Sequence, residues 1–203
     1  AKLSNGQVRV MDTEIQQIAS LVTFTEKDVT LFASAEANEQ KASVHGKVYW
    51  DEDVPRLELV VESQGLDPGR LLANSPFHGK VAFTANVYGT IAAPKVEGDF
   101  KSPSGNVYGY DFQNARAQVH YENDCIEVKG FAADVFGGHL QGDGECMIAS
   151  RTYNGHLHLQ NMDAGTLSDF IPGIEGRMTA DLGIHGMGND FDALSIYGSA
   201  SLA

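Results

Sequence analysis

Apolar residues fall at every second position through most of the chain. Val81, Phe83, Ala85 and Val87 alternate with Thr84 and Asn86, and Met178, Ala180, Leu182 and Ile184 alternate with Thr179 and Asp181. The same spacing recurs in Val22 and Phe24; Val29, Leu31 and Ala33; Val44, Val48 and Trp50; Leu57, Leu59 and Val61; and Val96 and Phe100. It continues in Val119 and Tyr121; Ile126 and Val128; Leu140, Cys146 and Ile148; Leu157 and Leu159; and Leu194, Ile196 and Leu202. A period of two places successive side chains on opposite sides of an extended backbone, so each run predicts a strand with one apolar and one wet face. The expected fold class is all-β.

Short polar connections such as "TEKD" at Thr25–Asp28 and "END" at Glu122–Asp124 predict hairpins, and therefore mostly antiparallel pairing. Gly137-Gly138 reads as another hairpin loop. Two segments break the pattern: "LDPGRLLAN", with Asp67 as N-cap and Pro68 at the first helical position, and "MDAGTLSDF", with Asp163 as N-cap. Each predicts one short helical turn, over Asp67–Asn74 and Asp163–Phe170.

The landmarks occur twice in the same order. "GQVRV" from Gly6 matches "GNVYGY" from Gly105, "FTEKDVTL" matches "YENDCIEV", and "GKVAFTANVYG" matches "GRMTADLGIHG". The chain thus reads as two degenerate copies, about 6–104 and 105–203, each predicting about seven strands. Seven strands at about 4.8 Å extend about 34 Å along the hydrogen-bonding direction, and a sheet of twice that width is expected to curl, twist or fold over. The apolar stripe would then fill a closed β-sandwich or line an open trough.

Composition narrows the function. A net charge of −13 disfavours nucleic acid and anionic membrane surfaces as partners, because both are gripped through Lys and Arg. No apolar run approaches the roughly 20 residues that span a bilayer, and "AKLSNGQVRV" lacks the apolar core of a signal peptide, so the segment is expected to be soluble and a piece of a longer protein. With the loop at Gly137-Gly138, Cys125 would face Ser150 and Cys146 would face Lys129; that register argues against a disulfide, although a bulge would alter it.

Catalytic signatures do not emerge: there is no G-x-S-x-G, H-E-x-x-H or Walker A loop, and "GMGNDF" at Gly186 is an incomplete dinucleotide fingerprint. His156 and His158 share a strand face, but nothing at a metal-ligand spacing completes a site, and Leu157 and Leu159 take the apolar side. No pair among the 27 acidic residues is marked as a glycosidase couple. The expectation is a non-enzyme without cofactor or metal.

The order of "GNVYGYDFQNARAQVHYENDCIEVKGFAADVFGGHLQGDGECMI", then "LHLQNMDAGTLSDFIPGIEGRMTADLGIHG", together with "GTIAAPKVEGDF", resembles the repeat of the TamB and AsmA-like envelope proteins of diderm bacteria. That resemblance implies a long sheet folded into a U-shaped trough, the β-taco, within a protein anchored in the inner membrane and crossing the periplasm. It implies phospholipid as the cargo, and an outer-membrane barrel of the TamA/BamA type as a partner. The apolar positions named above, apart from Ala33, Cys146 and Leu202, would line the lipid groove. The competing expectation is a structural or protein-interaction scaffold that assists assembly of outer-membrane proteins or autotransporters, with a solid interior and an acidic exterior as the binding surface.

Overall fold

The computed structural model describes residues 2–10, 13–37, 40–50, 53–71, 75–167, 173–188 and 194–203, with only the backbone described for residues 2–17, 37, 71 and 167. It is an all-β protein built as one large antiparallel sheet. The chain divides into two units, Ala1–Lys101 and Ser102–Ala203.

The first unit contains β1 (Lys2–Val10), β2 (Thr13–Phe24), β3 (Asp28–Ala37), β4 (Gln40–Tyr49), β5 (Arg56–Leu66), the one-turn helix α1 (Pro68–Leu71), β6 (Phe77–Gly79), β7 (Val81–Thr90) and the start of β8 (Pro94–Val107). The second holds the end of β8, then β9 (Tyr110–Glu122), β10 (Cys125–Val135), β11 (Gly138–Met147), β12 (Thr152–Asp163), a 3₁₀ turn (Ala164–Leu167), β13 (Arg177–Met187) and β14 (Ser195–Leu202). Strands hydrogen-bond in chain order throughout; only β6 lies off this path, pairing with β8.

Local chemistry explains the turns. Tyr108-Gly109, Asn123-Asp124 and Phe136-Gly137 all take left-handed backbone, the pairing that matches the twist of the flanking strands in a two-residue hairpin. Asp67 caps α1 by accepting a hydrogen bond from the Gly69 amide at 3.0 Å, and Asp163 accepts from the Gly165 amide at 3.0 Å. Both helical turns therefore start where the sequence places them. Residues 72–74 and 168–170, over which the two predicted turns continue, lie outside the described residues, as do Asn189, Asp190 and Phe191 of "GMGNDF".

Directly opposed residues in an antiparallel pair share a face, so the register shows which stripes merge. In the first unit Val22 faces Leu31, Phe24 faces Val29, Val29 faces Val48, and Val48 faces Leu57. Val44 faces Val61, Leu59 faces Val87, Val87 faces Val96, and Phe83 faces Phe100. In the second, Val119 faces Val128, Tyr121 faces Ile126, Leu140 faces Leu159, Leu157 faces Leu182, and Ile184 faces Ile196. One apolar face thus crosses β2 to β8 in the first unit and β9 to β14 in the second.

The hairpin between β10 and β11 corrects the expected register. Its turn is Phe136-Gly137, and Gly138 already pairs with Val135. A register shift between Val128 and Phe131 then sets Cys125 opposite Met147 and Cys146 opposite Ile126. Three strands are bulged: β9 at Asn114 and β12 at Asn161 near the level of His139, and β10 at Gly130 near that of Asp143, each left-handed there. Bulges bend strands and strengthen their twist. The buried residues of this unit, among them Phe112, Ala133, Leu159, Met162 and Ala164, gather beside them.

Glycines on the apolar face separate two roles. Gly46, between Leu31 and Leu59, has φ +142°, and a Cβ there would lie 2.1 Å from the Glu58 carbonyl oxygen. At Gly155 the nearest atom would be 3.4 Å away. Gly46→Ala is expected to destabilise the chain by about 1–3 kcal/mol through backbone strain. Gly155→Ala should stabilise it by about 0.5–1 kcal/mol by lowering unfolded-chain entropy. Urea unfolding midpoints of the two variants check both signs.

Candidate functional site

The apolar face is the main candidate. Most of its residues are half-buried, and among the described residues no large side chain is fully buried. A β-sandwich closes a second sheet over such a face and fills the space at crystal-like density; the described strands form a single sheet, with no second sheet among them.

The sequence-predicted residues that lie in paired strands fall on this face. Three do not lie in strands: Trp50 follows the end of β4, Ile148 follows β11, and Leu194 precedes β14. Trp50 still stacks on Phe24, ring centroids 6.5 Å apart, at the margin of the first unit. Phe83 stacks on Phe100 at 5.5 Å. Packing is closest in the second unit, where Leu159, Met162 and Ala180 form a buried cluster against Phe136, Leu140, Leu157, Met178 and Leu182.

One feature that alternation of apolar residues does not reveal is a hollow of about 250 Å³ in the second unit. Gly142, Gly144 and Gly155 form its floor, and Val128, Phe131, Tyr153, Leu157 and Ile184 stand around it. Gly144 and Gly155 are direct cross-strand partners. Paired glycines within strands mark a place where another group can approach the backbone closely. The readable signal is "GDG" at Gly142–Gly144, which puts both glycines on one face.

The opposite face is polar and laced with side-chain pairs. Tyr49 donates to Glu58 at 3.0 Å, which raises its pKa, and Arg56 sits 4.7 Å from the Tyr49 ring centroid. His158 is bonded to Asp181 at 2.7 Å, while His156 is exposed opposite Asp143 and Gly183. Asp134 has its pKa lowered, first by the Asn114 amide that donates to it at 2.7 Å and then by His139 at 2.9 Å. Among the described residues no three His, Cys, Asp or Glu side chains are grouped to hold a metal ion. No described helix is long and apolar enough to cross a membrane.

Both cysteines are free thiols. The register separates them: Cys146 shares the apolar face with Ile126, and Cys125 lies on the polar face in line with Glu127. Partial burial raises the Cys125 pKa first, and the nearby carboxylates of Glu145 and Glu127 add to the rise. A raised pKa lowers the thiolate fraction at any given pH, so the pH profile of Cys125 alkylation should be displaced upward from that of an ordinary thiol. Alkylation measured by peptide mass spectrometry from pH 7 to 10 checks this.

Comparison of the chain with known protein families, curated proteins and solved structures finds no match.

Proposed function

We propose that this chain is a non-catalytic lipid-conducting module, in which the apolar face of each unit replaces water around phospholipid acyl chains. The observation that carries the reading is the apolar face that crosses β2 to β8 in the first unit and β9 to β14 in the second, with no second sheet among the described strands and no large described side chain fully buried. A face of that kind leaves apolar surface in water, and an acyl chain of about 16 methylenes gains up to about 13 kcal/mol on leaving water. The lining is mostly Val, Leu, Ile, Phe, Ala, Met and Gly, with Ser63, Tyr121 and Tyr153 among it. A carrier pocket instead combines apolar walls with a few convergent polar groups that anchor one ligand. An even lining suits movement along the face.

The resemblance to TamB and AsmA-like repeats supports the same reading and extends it. On this proposal the sheet curls into a trough, and the segment works in the periplasm as part of an inner-membrane-anchored protein. Phospholipid is the cargo, and an outer-membrane barrel of the TamA/BamA type is a partner. Mass spectrometry of organic extracts from the purified chain tests it. Phospholipid is expected at a reproducible molar ratio that survives washing, and its absence would overturn the conduit in favour of a protein-interaction scaffold.

A further inference from the structure

We infer that the second unit carries a binding site for a neutral saccharide on its polar face, independent of the lipid reading. A cleft of about 900 Å³ opens beside the β10–β11 turn. Its base is a row at one register level: Gln113 on β9 faces Asp134 on β10, Asp134 faces His139 on β11, and His139 faces Gln160 on β12. Four strands at about 4.8 Å spacing make this row roughly 14 Å long, the scale of a disaccharide. Phe136 and Phe112 border the cleft, and Tyr110 packs edge-on against Phe136 at 5.4 Å.

The chemistry of the row selects the ligand class. Both oxygens of Asp134 are already engaged, one by Asn114 and one by His139, which fixes the carboxylate and orients the imidazole. The side-chain amides of Gln113 and Gln160 make no hydrogen bond to another described residue, and each amide offers both donors and an acceptor. An anion only accepts, and would meet Asp111 and Asp134 in the same cleft, while the one guanidinium at its edge, Arg177, already donates to the Gly137 and Asn161 carbonyls at 3.1 Å. An ammonium only donates, and would leave the amide donors unmatched. A hydroxyl donates and accepts at once, and a ring of vicinal hydroxyls repeats that pair along the row.

The test is calorimetric titration of the purified chain with maltose, cellobiose and diacetylchitobiose, with ethanolamine and citrate as ammonium and anion comparators. At least one disaccharide should bind in the millimolar range or tighter, and neither comparator should. Gln113→Ala and Gln160→Ala, both at exposed positions, should each weaken binding about two- to tenfold, while Thr84→Ala in the other unit leaves it unchanged. Failure of all three disaccharides, equal binding of a comparator, or unaltered affinity in both glutamine variants would overturn the site. Lipid extraction results do not bear on any of these outcomes.

Discussion

Phe83→Asp is expected to yield a folded chain that, on the proposed lipid-conducting function, no longer co-purifies with phospholipid. Phe83 is half-buried on the apolar face, opposite Ser63 on β5 and Phe100 on β8. The substitution removes one ring and its stacking partner's contact, at a cost of about 1–2 kcal/mol. Because Phe83 is only half-buried, the new carboxylate is expected to stay hydrated and escape the penalty of a buried charge. Far-ultraviolet circular dichroism should therefore be unchanged and the urea midpoint only modestly lower. An acyl chain crossing that point, however, would have to desolvate the carboxylate, which costs several kcal/mol. Phospholipid recovered with the chain should fall at least about tenfold, equivalent to 1.4 kcal/mol. Thr84→Lys, on the polar face between Glu62 and Asp99, is the control and should retain both fold and lipid. Unfolding of Phe83→Asp would show a closed interior, and undiminished lipid would show that this face does not hold it.

Ala133→Asp has the opposite outcome, although Ala133 lies on the same face, opposite Leu140. Ala133 is only 2% exposed, in the part of the second unit where the strands are bulged. A carboxylate there has neither water nor a partner, and breaking burial in this way costs about 3–5 kcal/mol. Since whole domains are stable by about 5–15 kcal/mol, most of the second unit's stability should go. Met162→Ala, at 3% exposure in the neighbouring cluster, should cost about 2–4 kcal/mol through the cavity it leaves. Thermal and urea unfolding of the three variants distinguish the two regimes. The order expected is Ala133→Asp least stable, then Met162→Ala, then Phe83→Asp.

These contrasts also measure how far the sequence could be read. Alternation at Val81–Val87 or Met178–Ile184 is a local property, because side-chain parity follows from extended backbone whatever the strand pairs with. The two helical turns were equally legible, since an Asp cap acts on amides two residues away. Trp50 and Ile148 mark the limit: parity continues past the end of a strand, so it cannot show that β4 stops at Tyr49 and β11 at Met147. The glycine-floored hollow was hidden because Gly142, Gly144 and Gly155 carry no side chain for a hydrophobicity pattern to register, and the Gln113–Asp134–His139–Gln160 row was hidden because its members come from four strands.

The sequence by itself determined which residues share a face within each strand, where hairpins and helical caps fall, and that the chain is nearly all sheet. Only the tertiary structure decided the register between strands. That register depends on one residue at the turn, Phe136-Gly137 in place of Gly137-Gly138, and on bulges at Asn114, Gly130 and Asn161. A bulge adds one residue to one strand, which leaves composition and period almost unaltered yet shifts every pairing beyond it. For that reason the separation of Cys125 from Cys146, the burial of Ala133 beside half-exposed neighbours, and the joining of the described strands into a single sheet are properties of the assembled sheet: each depends on atoms far apart in the chain, where no local pattern reaches.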